Sequence, residues 1–184
     1  MVLDLAGLLR ALVDGGVRFV VIGGIAVAAH RAVRATEAVD IVPEPSNANL
    51  VLLGDTLTRL DARLLRNPDR GIDADVRAAL SRGRNLTVTT RLGDVDVVQR
   101  LPGVPPFADL DADAWEATLF GVRFRVCSRD HLIAMKRARG GALDLDDVER
   151  LTGGWPPSPS AGPSAPGSGC AEAAGDRLDA RRDP

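Results

Sequence analysis

Between Val17 and Ile22 lies a β-branched, apolar run that ends at Gly23-Gly24 and is followed by Ile25 to Arg31, a small-residue stretch compatible with helix. A buried strand, a tight turn and a helix in that order oblige the chain to form a layered structure with a sheet at its centre. The pattern continues on both sides. Leu5, Leu8, Leu9, Leu12 and Val13 recur at helical spacing and stop at Gly15-Gly16. Val39 to Val42 reads as a short strand ended by Pro43, and Ser46 caps a helix over 47–60. The spacing predicts a further helix over 73–81, then strands at 86–90 and 94–98 joined by an Arg91-Leu92-Gly93 turn. A helical turn at 113–117, a hairpin of 118–120 with 122–126 around Gly121, a helix capped by Ser128 and a last helix over 143–151 complete the series. These readings give a mixed α/β, or α+β, domain over residues 1–152 with a central mixed sheet flanked by helices.

Composition then sets limits. At 184 residues with 45% hydrophobic content the chain supports one core of ordinary size. From Gly153 onward Gly, Pro and Ser dominate and aliphatic residues are scarce, so residues 153–184 are expected to be a disordered tail. The net charge of -2 argues against a protein that coats nucleic acid by basicity alone. No apolar stretch approaches the roughly 20 residues that span a bilayer, and the N-terminus lacks the basic start of a signal peptide. A cytoplasmic protein without membrane contact is expected. Cys127 and Cys170 have no metal-like spacing and are expected to form no disulfide.

Three acids stand where strands are otherwise apolar. Asp94 and Asp96, two apart in one strand, share a face, with Val95 and Val97 on the other. Asp40 interrupts Val39-Asp40-Ile41-Val42 and needs a partner, solvent or a cation. Such acids are either solvated edge residues or a metal-binding edge. Gly23 and Gly24 form either an ordinary turn or a place where backbone amides meet phosphate oxygens before a helix N-terminus. Lys136 is the single lysine among 23 basic residues. It is either a surface side chain or a compact ammonium for phosphate. His30 and His131 lack partner spacing and are expected to pack rather than bind metal, and no serine has the context of a hydrolase triad.

The stretch VIGGIAVAAHRAVRATEAVDIV resembles the signature of the polymerase-beta-like nucleotidyltransferase superfamily, in which a strand, a Gly-Gly turn and a helix precede an Asp-x-Asp strand. Together with LGDVDVVQRLPG and VCSRDHLIAMKRARGGALDLDDVERL, it is similar to the small AbiEii-like nucleotidyltransferase toxins of toxin-antitoxin systems. The likeness covers about residues 5–151. It implies a nucleotidyltransferase fold and transfer of a nucleoside monophosphate from a nucleoside triphosphate to an acceptor, with tRNA first in order. A cognate antitoxin is the implied protein partner. The alternatives are a silent nucleotide-binding or partner-binding module and a small-molecule, antibiotic-modifying transferase. By resemblance Asp40, Asp96 and Lys136 are catalytic residues, with Asp40 and Asp96 as the metal ligands. Gly23, Gly24, Arg34, Thr36 and Lys136 bind nucleotide, and two Mg2+ ions serve the active form. Asp144 and Asp147 match an acidic pair but are read as first-turn acids that complement the helix dipole. The departure is Ala38, which stands where the first aspartate of the pair belongs and removes a ligand from the most cation-dense point. Glu37 points to the opposite strand face, so Asp94 is the remaining possible substitute. Impaired turnover is the expectation.

Overall fold

The computed structural model describes residues 3–30 and 36–153. Helix α1 (Leu5–Asp14) begins at Asp4, whose carboxylate accepts from the Gly7 N–H at 2.9 Å, and buries Leu8, Leu9 and Leu12 on one stripe. Strand β1 (Phe19–Val21) is only the middle of the β-branched run, and helix α2 (Gly23–Ala29) starts at the glycine pair itself. Strand β2 (Ala38–Pro43) leads to helix α3 (Asn47–Arg59), where Ser46 caps the Asn49 N–H as expected. A two-residue strand β3 (Arg63–Leu64) precedes helix α4 (Ala74–Ser81), which is capped by Asp73. Strands β4 (Leu86–Thr90) and β5 (Gly93–Val97) form the expected hairpin.

The largest departures from the expected boundaries fall between residues 107 and 119. The helical turn placed at 113–117 lies earlier, as α5 (Phe107–Asp113), and Trp115–Leu119 forms strand β6, antiparallel to β7 (Val122–Val126). The reason is local. Pro106 at the N-cap position is compatible with helix entry, whereas Trp115, Ala117 and Leu119 alternate with polar residues at strand period. Helix α6 (Arg129–Arg139), capped by Ser128, and helix α7 (Ala142–Thr152) complete the order.

The seven strands form one mixed sheet in the order β3-β4-β5-β2-β1-β7-β6. The β2–β5 and β1–β7 pairs are parallel, and the other four are antiparallel. The α+β, mixed-sheet expectation is met. One sheet face carries Val39, Ile41, Val88, Val95 and Val97, all buried in a core shared with Leu8, Leu12, Leu53 and Leu57 of the helices. The opposite face of β2 and β5 carries the half-buried Ala38, Asp40, Asp94 and Asp96. Alternation therefore separates the core from a polar surface in the middle of the sheet. No helix among the described residues is long and apolar enough to cross a membrane.

Candidate functional site

The site is assembled at the centre of the sheet because β2 and β5 are parallel neighbours in a particular register. Asp40 stands beside Asp96, and Ala38 stands beside Asp94. Across the β4–β5 hairpin, Thr87 is opposite Asp96 and Thr89 opposite Asp94. Sequence alternation alone could place Asp94 and Asp96 on one face. Only strand pairing brings Asp40 next to Asp96.

The Gly23-Gly24 turn closes over this edge. The Ile22 N–H donates to the Asp40 backbone carbonyl at 3.0 Å, which docks the end of β1 onto β2. Gly23 has φ +64°, and a Cβ there would stand 2.0 Å from Asp40 Oδ2. A Cβ on Gly24 would meet Thr36 Oγ1 at 2.8 Å. The glycines are therefore needed for close approach to Asp40 and Thr36. The Thr36 hydroxyl donates to the Ala38 carbonyl at 3.0 Å, so in this structure it ties down the entrance to β2. Arg34 lies outside the described residues.

Asp40 is perturbed by its surroundings. Burial pushes its carboxyl up to about 6, the neighbouring Asp96 charge pushes in the same direction, and a Gly24 backbone hydrogen bond, Arg139 and Lys136 pull against them. Burial is the main cause and the Asp96 carboxylate adds to it, so positive charge bound at this pair would favour the ionised form. Asp40 and Asp96, side by side on β2 and β5, are the residues that would hold a divalent cation here. No group of three or more acidic, histidine or cysteine side chains among the described residues is arranged to hold a metal. Asp94 shares the face but does not complete such a group, and the position beside it is the alanine.

The raised Asp40 also sets a stability prediction. An acid with a raised folded-state pKa contributes stability that is fully present below its unfolded value, near 3.8, and lost as pH climbs to about 6. Asp40→Asn should remove this loss and raise stability at pH 7 by about 1–3 kcal/mol. Urea denaturation from pH 4 to 8 checks it: the difference should grow between pH 4 and 6 and then level off.

Lys136 lines a narrow cleft of about 50 Å³ with Asp40, Gly23, Met135 and Arg139. It is not a surface side chain. Its ammonium lies 3.0 Å from Asp144 Oδ1 and 2.7 Å from Asp147 Oδ2, and the three residues are 4, 6 and 1% exposed. Arg139 Nε adds a contact to Asp144 Oδ2 at 3.3 Å. The reading of Asp144 and Asp147 as dipole-complementing acids is thereby corrected: they are buried partners of Lys136. Their i, i+3 spacing puts both on the α7 face that meets α6, a signal present in the sequence without any indication of its partner. Arg139, one turn after Lys136, lines the same cleft. His30 packs as expected, with Nε2 2.9 Å from the Cys127 carbonyl and its ring edge-on to Trp115. Cys127 is buried and free, its thiol pushed up to about 12 by burial, which makes it unreactive.

Solved structures place this architecture. The antibiotic-resistance factor ANT(2'')-Ia in solution matches with a TM-score of 0.53 and 13% identity over 80% of each chain. ANT(2'')-Ia in complex with adenylyl-2''-tobramycin matches with a TM-score of 0.53 and 13% identity, over 80% of this chain and 84% of that one. The chain shares the fold of ANT(2'')-Ia. No family model and no curated protein matches it.

Proposed function

We propose that this chain is a minimal nucleotidyltransferase of the toxin kind, built to pass a nucleoside monophosphate from a nucleoside triphosphate to an acceptor hydroxyl, with turnover impaired by Ala38. The observation that supports it best is the pairing of Asp40 with Asp96 on parallel neighbouring strands beneath a glycine pair. In transfer, the acceptor oxygen forms a bond to the α-phosphorus as the bond to pyrophosphate breaks. Mg2+ bound by Asp40 and Asp96 would supply charge neutralisation of the phosphates and acidify the acceptor hydroxyl. The chain's own groups position the substrate. The Gly23-Gly24 backbone admits phosphate oxygens without a Cβ in the way, and Arg139, whose side chain is 63% exposed at the cleft, offers phosphate a guanidinium, whereas the Lys136 charge is already met by Asp144 and Asp147. Ala38 leaves one ligand short of the set that two closely spaced ions require, so a single-ion, slow or silent site is the expected state. tRNA is the acceptor to test first, and an antitoxin is the expected protein partner.

A small-molecule acceptor is the second reading, favoured by the fold likeness to ANT(2'')-Ia, one of whose structures holds adenylyl-2''-tobramycin. Incubation with labelled nucleoside triphosphates, magnesium and either total tRNA or tobramycin separates the two. Ala38→Asp should raise transfer by on the order of 10²-fold or more. Equal label with and without the aspartate would overturn the metal argument. Absence of both transfer and triphosphate binding in either chain would overturn the reading itself, whereas binding without transfer would leave a nucleotide-binding module.

A further inference from the structure

The Asp40 cleft is small, but a pocket about ten times larger opens elsewhere, with a volume of about 540 Å³. It lies at the start of β1, around Gly16 to Phe19, away from the Gly23 turn that ends the same strand. That volume falls in the range of sites that take small organic ligands. Its composition is unusual for this chain, which has only four phenylalanines and no tyrosine. Three of the four, Phe19, Phe107 and Phe124, line this pocket, together with Arg18, Arg123 and Arg125.

The three arginines are not equally engaged. Arg125 is fixed on Asp111, with Nε 3.0 Å from Oδ1 and a second donor on the Asp111 carbonyl. Arg18 reaches the same carboxylate only at 3.4 Å, and Arg123 faces Glu116 at 3.7 Å. Their side chains are 65 and 74% exposed. Two guanidinium groups are therefore loosely held at the rim. The Arg18 guanidinium already stands over the Phe107 ring, 5.8 Å from its centroid, so a flat cation and an aromatic face meet at one wall. Phe19 and Phe124 are almost fully buried and supply an apolar floor.

We propose that this pocket is a second ligand site, separate from the Asp40 cleft, for a nucleotide unit: a planar base against Phe107 and a phosphate on Arg18 and Arg123. Aromatic rings hold bases by stacking whatever their identity, and guanidinium donors on one pocket lining suit the several oxygens of a phosphate. The site does not depend on transfer activity. Its ligand is either a free nucleoside monophosphate or one nucleotide of a single-stranded RNA.

Backbone-amide NMR shifts on the full chain test this, with AMP, adenosine and an octauridylate strand as probes. Shifts centred on residues 16–19, 107 and 123–125 with AMP or octauridylate support the site, and tighter binding by the strand identifies RNA as the source. The Arg18→Ala, Arg123→Ala double variant should weaken that binding at least tenfold while leaving the dispersion of its spectrum intact, since both side chains lie at the surface. Shifts confined to 22–24, 40 and 96 would overturn the second site while supporting the first. Equal binding of adenosine and AMP would overturn the phosphate assignment, and no shift in the pocket with any probe would overturn the proposal.

Discussion

Replacing Lys136 with methionine should cost about 3–5 kcal/mol of stability, the range expected when one partner of a buried ion cluster is removed. The loss does not come from packing, because methionine fills nearly the same volume. It comes from Asp144 and Asp147, left inside α7 at 6 and 1% exposure without the ammonium that lies between them. Urea denaturation measures it. The control is the triple variant Lys136→Met, Asp144→Asn, Asp147→Asn, which removes all three charges and should recover most of the stability. A loss below about 1 kcal/mol in the single variant would mean that Arg139 and the other neighbours of the two acids, and not the lysine, hold them. Hydrogen exchange adds a second readout. Since the cluster joins α6 to α7, amides of both helices should lose protection together in the single variant.

Gly23→Ala is the other large effect. The left-handed φ of +64° alone costs an alanine about 1–2 kcal/mol. The added Cβ would also stand 2.0 Å from Oδ2, 2.5 Å from Cγ and 2.9 Å from Cβ of Asp40, so the carboxylate must move. We expect a total loss of about 2–4 kcal/mol in thermal or urea denaturation. In an Asp40→Ala background the two shortest contacts vanish, and the cost should fall toward the backbone share alone. Equal losses in both backgrounds would show that the turn, and not the approach to Asp40, is what requires glycine. Gly24→Ala should be milder, since its Cβ meets only the Thr36 hydroxyl region and the Gly24 backbone is not left-handed.

These two positions show how differently the parts of the site were written into the sequence. Gly23 announced itself by following a β-branched run, and strand alternation sufficed to put Asp94 and Asp96 on one face. The helix caps at Ser46 and Ser128 were equally legible, because capping is a matter of residues three apart. The region from Phe107 to Leu119 is hard to read, since a short helix running directly into a strand leaves little periodicity. The two-residue β3 carried no period at all, and its existence follows from pairing with β4.

By itself the chain determined the alternation of helices and strands, the mixed α+β class, the glycine turn and the alanine at position 38, all properties of neighbours within a few residues. The tertiary structure alone decided that Asp40 lies beside Asp96, that Ala38 lies beside Asp94, and that the sole lysine is clasped by Asp144 and Asp147 rather than exposed. The physical reason is range. Capping, turns and alternation are fixed by local backbone geometry, whereas the company of a buried charge depends on strand order and helix packing, which bring together residues tens of positions apart.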